Sequence, residues 1–368
     1  MVQSLRILFF TVLSILISEH AVLSQADLLR TEIEKIIIHD TEISYKKTPG
    51  FIIGIIDGDS TYALSFGKKQ KSTKSILTDT DVFEAGSVTK IFTALLTDIL
   101  IQQKKLSYTD KINDYIPETY VNPRCADITI ADLINHQSGM PRRPDWFGKQ
   151  EKEVQNPYAH YNTDHLLSFY RDFLTEKKTF IYAHTNYALL EVVLEEATGN
   201  NLGDLMDNWI FKPLGMSQSF IDFPERKKNL VTPGYDRAGK ETQPWEFESF
   251  KASEGLKTSL QDMLVFLKAI MSVYPAYVLD YDFNQWQSGA DYEESTIIFK
   301  GWQILDLKNY RIYSHSGKTS GHTSFVAMVP DTRTAVVIFA NSSIGTEDLG
   351  IQILRMINYN WKRKAYKS

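Results

Sequence analysis

The stretch Phe83–Leu100, FEAGSVTKIFTALLTDIL, decides how the chain is to be read. Its second half is nearly all apolar and predicts a buried helix. A helix N-terminus carries partial positive charge, so a lysine in the first turn is electrostatically misplaced. In apolar surroundings that lysine also loses its hydration. Lys90 nonetheless stands three residues after Ser87, a spacing that puts both on one helix face. A serine hydroxyl is a poor nucleophile until a base takes its proton, and a desolvated lysine of lowered pKa can be that base. The Ser87 N–H, at the helix start, would point toward any oxyanion formed there. The plain alternative is an N-cap serine followed by a lysine whose head reaches water. The pair alone does not decide between them.

Outward from this stretch the chain changes character twice. ADLLRTEIEKIII has amphipathic helical spacing, and GFIIGIIDGDSTYALSFG predicts a β-hairpin turning at DGDS. From about Leu106 to Lys300 the pattern is helical and loop-rich. TDHLLSFYRDFL is one expected helix. TNYALLEVVLEEATGN is another, with Thr185 as N-cap and Gly199 as stop. LGDLMDNWIFKPLGM is expected to end at Pro213, and TSLQDMLVFLKAIM carries Ser259 and Asp262 at nearly capping-box spacing. Short β-type runs follow: GWQILDL, YRIYSHS, SFVAMVP and TAVVIFA. The last helix, EDLGIQILRMINYNWKRK, starts acidic and ends basic, matching its dipole. The simplest architecture is an α+β fold with one antiparallel sheet built from both chain ends and a mostly helical insertion. The expected sheet subdomain covers about 25–105 and 300–368, and the helical subdomain about 106–299.

The 368 residues suit one large domain or two intimate ones. A net charge of −5 with both signs interspersed gives no reason to expect a nucleic-acid partner. Cys125 is the single cysteine, so no internal disulfide can form, and a buried thiol is expected. The histidines show no metal-ligand spacing; His160 and His165 near Asp164 fit a surface helix start. The first residues, MVQSLRILFFTVLSILISEHAVLSQ, combine Arg6, an apolar core from Ile7 to Ile17 and a small residue, Ser24. That core is shorter than the ~20 residues needed to span a bilayer. The expectation is a signal peptide over 1–24 and a secreted or periplasmic body over 25–368, with no lipobox cysteine. An uncleaved anchor is the alternative, and it too leaves the body outside the cytoplasm.

Two further motifs give Ser87 and Lys90 company. Tyr182 opens YAHTNYALLE, and His315 opens HSGKTSGHTSF. With SVTK these resemble the serine β-lactamase and DD-peptidase superfamily, nearest its class C β-lactamase-like branch. Its signature is S-x-x-K, then Y-x-N on a loop, then K-T-G or H-x-G on a strand. LINHQSGMP, IFKPLGMSQSF and EGLKTSLQDMLVFLKAI are also similar to the family, in the expected order. The resemblance implies a β-lactamase/transpeptidase-like fold, an αβα sandwich with helices on both faces of the sheet. It implies that Ser87 is the acylated nucleophile, Lys90 its basic partner and Tyr182 the phenol that shuttles protons to the leaving group. His315 would bind substrate or assist proton transfer, Gly317 would let a ligand approach the backbone, and the backbone N–H of Lys318 would be the second oxyanion donor.

Each assignment has a structural alternative: an aromatic packing beside a helix cap for Tyr182, a half-buried strand histidine for His315 and a plain turn glycine for Gly317. A phenol of free pKa ~10 needs nearby positive charge to serve near neutral pH, which Lys90 and a protonated His315 would supply. SGKT is no phosphate loop, because Ile312 stands five places before Gly317, where the first glycine would be required. Two departures from the signature matter. His184 occupies the usual asparagine place, where the side chain contacts the acyl amide of substrate, and His315 replaces lysine. Both weigh against strong β-lactamase activity.

The function expected is therefore a serine hydrolase acting through an acyl-enzyme. Its substrate would be a D-amino-acid peptide, as for a D-Ala-D-Ala carboxypeptidase, or a small amide or ester, and no metal or organic cofactor is required. A β-lactamase is the runner-up, and a penicillin- or cell-wall-fragment-binding sensor without turnover is the non-enzymatic reading. The insertion RRPDWFGKQEKEVQNPYAHYN brings aromatics, among them Trp146, Tyr158 and Tyr161, that could wall a cleft.

Overall fold

The computed structural model describes residues 24–41, 43–144, 156–174, 178–222, 229–278, 296–307 and 310–365. The leader and Trp146 lie outside the described residues. Among the described residues the strands are β1 (Gly50–Asp57), β2 (Ser60–Gly67), β3 (Val82–Glu84), β4 (Gly234–Tyr235), β5 (Glu241–Thr242), β6 (Lys257–Ser259), β7 (Thr296–Phe299), β8 (Trp302–Asp306), β9 (Arg311–Lys318), β10 (Thr323–Val329) and β11 (Thr334–Ala340). Seven of them form one antiparallel sheet in the order β2-β1-β11-β10-β9-β8-β7. The N-terminal hairpin thus pairs with the last strand of the chain, Phe51 opposite Ala340. This is the two-ended antiparallel sheet expected from the sequence.

The sheet is covered on both faces. Alternation along β1 sends Phe51, Ile53 and Ile55 to one side and Ile52 and Ile56 to the other. The first face is closed by two terminal helices, α1 (Gln25–Asp40) through Ile33 and Ile37, and a C-terminal helix (Glu347–Ala365) through Leu349, Ile353 and Leu354. The second face packs on helix α2 (Thr89–Gln102) and on a helix at Leu260–Val278 through Phe92, Phe266 and Leu267. The Leu260–Val278 helix lies against β1 and β11, and β7 begins at Thr296. The sheet unit therefore takes in elements that a division at residue 300 leaves in the helical insertion.

Helix limits differ from the sequence reading where distant backbone intervenes. The helix His184–Thr198 starts two residues before it would if Thr185 were its cap. Its N-cap position is Ala183, without a side-chain cap, because the Arg142 carbonyl accepts from the N–H groups of His184 (2.9 Å) and Thr185 (3.4 Å). Gly199 does stop it, at φ 68°. Pro213 does not end its segment. It sits inside the last helical turn, Lys212–Leu214, after a π-type turn at Asp207–Phe211, and the stop is Gly215. Ser259 Oγ accepts from Asp262 N at 3.2 Å, but the Asp262 carboxylate turns away to Ser219 Oγ at 2.7 Å, so the capping box is half formed.

A buried ion pair fixes the outer sheet strands to α2. Lys300, in the β7–β8 turn, donates to Asp98 Oδ2 at 2.9 Å, and Asp98 also accepts from the Tyr108 hydroxyl. Both charged side chains are 5% exposed. Removing one partner strands the other charge away from water, at about 3–5 kcal/mol. Asp98→Ala is therefore expected to lower unfolding stability by about that amount in a denaturant titration. A loss below about 1 kcal/mol, the range of a surface ion pair, would contradict the pair's anchoring role.

Candidate active site

Ser87 lies in a tight helical turn, Gly86–Val88, that runs directly into α2. Gly86 enters it at φ 52°, and a methyl group there would stand 2.6 Å from the backbone N of Lys318. The turn is held from two sides. The Ala85 carbonyl accepts from Ser324 Oγ of β10 at 2.7 Å, and the Ala85 N–H donates to Leu256 O at 2.9 Å. Gly317 of β9 packs so close to this turn that a Cβ would fall 2.0 Å from the Ala85 carbonyl oxygen. Approach by the chain's own backbone already requires glycine here, before any ligand is considered.

Lys90, one turn on, is fully buried. Its Nζ lies 3.0 Å from Ser87 Oγ, 3.0 Å from the Ser253 carbonyl and 3.0 Å from Glu254 Oε1. Three acceptors match the three hydrogens of an ammonium. Burial lowers the Lys90 pKa to about 8, against the opposing pull of Glu254. Lys90 is thus mainly cationic at neutral pH and gains a free amine as pH rises through about 8.

Glu254 is the residue that sequence reasoning missed. It ends a short helix, Lys251–Glu254, which is tied to α2 by Thr93 Oγ1 donating to Ala252 O at 2.7 Å. Its Oε1 accepts from Ser87 Oγ at 2.5 Å, from Lys90 and from His184 Nδ1 at 2.5 Å. Burial alone would raise this carboxyl, but Lys90, His184 and Ser87 together hold it well below the usual carboxylate range. The segment ASEGLK gave no cue, because a single glutamate in a short helix has no periodicity to mark it as buried. Only its burial beside Lys90 reveals it.

His184 is turned inward. Besides Glu254, its Nδ1 meets Ser253 Oγ at 3.2 Å, and its Nε2 is buried without a partner. Burial, then the Lys90 charge, push its pKa down to about 3, so it donates to Glu254 as a neutral imidazole. The substrate contact expected at the asparagine place is thus replaced by an internal hydrogen bond.

Tyr182 comes from the loop before the His184–Thr198 helix. His136, at φ 59°, aims this loop: its Nδ1 accepts from Ala183 N at 3.0 Å and its ring lies 4.5 Å from the Tyr182 ring. The phenol interacts with Ser87 and lies 3.2 Å from His315 Nε2. His315 Nδ1 sits 2.7 Å from the Ser316 carbonyl, which fixes the proton on Nδ1 and leaves Nε2 to accept from Tyr182. Burial and the Lys90 charge lower His315 to about 4. Burial and Glu254 raise Tyr182, although Lys90 and Arg142 each lie 5.4 Å from its ring centroid. A protonated His315 and an acidified phenol, both expected from the sequence, are therefore not what the resting site holds. Two buried neutral groups share one hydrogen bond instead.

Ser87, Tyr182, His184, Glu254, His315, Gly317 and Lys318 line one cleft of about 540 Å³, together with Arg142 and Trp245. Tyr158 and Tyr161 are buried behind it, Tyr158 against Trp245 and Phe250. His165 is exposed in the first turn of a helix (Thr163–Asp172) capped by Asn162, and among the described residues no group of side chains could hold a metal ion. Cys125 is buried, and burial raises its pKa to about 11.

The sequence profile described as Beta-lactamase matches residues 38–357. The chain belongs to the β-lactamase family. It is a serine hydrolase of the β-lactamase/transpeptidase type. A β-lactamase of Pseudomonas fluorescens is 22% identical over 80% of this chain and 88% of its own. Unguisins hydrolase ungD' of Aspergillus campestris is 21% identical over 83% of this chain, which spans 61% of that relative's length. Penicillin-binding protein 4* of Bacillus subtilis is 30% identical over 47% of this chain and 38% of its own. Among solved structures, the class C β-lactamase from Rhodobacter sphaeroides superposes with a TM-score of 0.73, covering 90% of this chain and 99% of its own at 20% identity. That likeness shows the αβα fold. No helix among the described residues is long and apolar enough to cross a membrane.

The contact of Gly317 with Ala85 gives a direct test. Gly317→Ala must push β9 off the serine turn, and a displacement of about 1 Å at a reacting centre costs on the order of 10²-fold in rate. Labelling of the variant by a fluorophosphonate is expected to slow by about that factor while the protein stays folded. Labelling at the original rate would contradict the packing.

Proposed function

We propose that the protein is an exported serine hydrolase that forms an acyl-enzyme on Ser87. Its substrates in this reading are D-amino-acid peptides, as in D-Ala-D-Ala carboxypeptidase chemistry, or small amides and esters. The observation that carries it is the pairing of Ser87 Oγ with a fully buried Lys90 at 3.0 Å, with the Tyr182–His315 pair on the same cleft. Lys90 in its amine form takes the serine proton as Oγ attacks the carbonyl. The backbone N–H groups of Ser87 and Lys318 receive the developing oxyanion. Tyr182, a neutral phenol in the resting site, gives its proton to the leaving atom and recovers one from solvent through the cleft, so Lys90 stays an ammonium in the acyl-enzyme. Trp245 and Arg142 on the cleft wall favour a substrate with an apolar part and an anionic part. The apolar leader supports export.

A β-lactamase is the second reading, favoured by the match to the Pseudomonas fluorescens enzyme along most of both chains. The inward turn of His184 weighs against it, because the cleft then lacks an amide donor at that place for the β-lactam side chain.

A panel of nitrocefin, D-Ala-D-Ala peptides, D-aminoacyl amides and p-nitrophenyl esters tests both readings, each run beside Ser87→Ala. Turnover of at least one peptide, amide or ester, abolished in Ser87→Ala, is the expected result. Nitrocefin as the only good substrate would establish the second reading, and activity retained in Ser87→Ala would overturn both. With Lys90 as base, kcat/KM is expected to rise as pH increases through about 8, where the amine form appears. A profile flat from pH 6 to 10 would exclude that role.

A further inference from the structure

The four donors on Glu254, Ser87 Oγ, Lys90 Nζ, His184 Nδ1 and, at 3.5 Å, Ser253 Oγ, all converge on Oε1. Oε2 has no hydrogen-bond partner among the described residues and is not sealed from solvent, and Glu254 lines the cleft. The carboxylate is thus gripped by one oxygen next to Ser87, and the other is left to accept from a water in the cleft that both residues line. We propose that Glu254 is the general base that activates the water which hydrolyses the acyl-enzyme.

The neighbours of Ser87 leave few other candidates for this step. The Lys90 ammonium has all three hydrogens engaged and no lone pair to offer. His184 donates through Nδ1 and its Nε2 is sealed from solvent. His315 Nε2 already accepts from Tyr182. Acylation sharpens the contrast. Once Ser87 Oγ is an ester oxygen it no longer donates to Glu254 Oε1, and two oxygens with lone pairs are left 2.5 Å apart. The ester oxygen and Oε1 must then draw apart, and a water donating to Oε2 can enter beside the acyl carbon.

The step balances as follows. The water oxygen bonds to the acyl carbon while its proton passes to Glu254 Oε2. The carbon–Oγ bond breaks, and Oγ takes a proton from Lys90 Nζ, 3.0 Å away. The Glu254 carboxyl then returns its proton to the Lys90 amine, and the carboxylic acid product leaves. The carboxylate–ammonium pair is restored, and Lys90 releases one proton to solvent before the next acylation.

This inference rests on the acyl-enzyme reading above, and one assay separates the two. With p-nitrophenyl acetate, the wild-type enzyme must show acetyl transfer to Ser87 and turnover; no acetyl adduct and no turnover would refute the hydrolase reading and this one with it. Glu254→Gln keeps the side-chain size and also frees Lys90 of its counter-charge, so acylation is expected to survive. The variant should release about one p-nitrophenolate per molecule in a burst and then turn over about 10²–10⁴-fold more slowly, with the acetyl adduct accumulating in intact mass spectra. Added hydroxylamine, which attacks the ester without a base, should clear the adduct and restore the burst. Steady-state turnover at the wild-type rate would overturn the proposal. So would parallel loss of burst and turnover in a folded variant, since that marks a role in acylation or structure. Should Glu254→Gln fail to fold, Glu254→Asp, which draws Oε2 back, must slow deacylation and leave the burst intact; equal slowing of both steps would overturn the proposal too.

Discussion

Lys90 carries a charge where no water reaches it, and the site is arranged around that fact. An isolated ammonium in such a place would give up its proton, because burial disfavours the charged form. Here Glu254 supplies the counter-charge at 3.0 Å, and Ser253 O and Ser87 Oγ take the remaining hydrogens. The result is a lysine neither fully neutral nor firmly charged, with a pKa of about 8. The same carboxylate orients the serine hydroxyl and holds His184. Serine, amine and carboxylate are therefore one hydrogen-bonded network.

The fold exists to bring that unit against β9. Ser87 and Lys90 arrive on α2, Glu254 on a short helix bonded to α2, Tyr182 on a loop aimed by His136, and His315, Gly317 and Lys318 on a central sheet strand. A second buried carboxylate braces the neighbouring wall. Glu84 accepts from Trp245 N at 2.6 Å and from Thr319 Oγ1 at 2.9 Å, and it meets His322 Nδ1 at 3.0 Å. Trp245 and the β9–β10 turn are thereby fixed beside the cleft they line. Both carboxylates sit at points where the chain's two ends and its helical insertion meet.

Local features were legible in the sequence where short-range chemistry decides. The Ser87–Lys90 spacing, the hairpin at DGDS, the left-handed stop at Gly199 and the alternating strands near the C-terminus all depend on residues within a turn or two of each other. The expected errors lie where remote backbone takes over. Thr185 lost its capping role to the Arg142 carbonyl, and Pro213 was taken into the last helical turn that follows a π-type turn. The protonation states were misread for the same reason: burial, which sequence does not display, keeps His315 and Tyr182 neutral. Glu254 was invisible because its importance comes wholly from where the Lys251–Glu254 helix lands.

The most direct test of the central claim, that this buried unit makes Ser87 a nucleophile, is site-resolved mass spectrometry after exposure to a fluorophosphonate probe. One adduct per molecule, mapped to Ser87 and suppressed when Lys90 is replaced by methionine, is the expected result. An adduct on another serine, or undiminished labelling of Ser87 without the Lys90 amine, would contradict it.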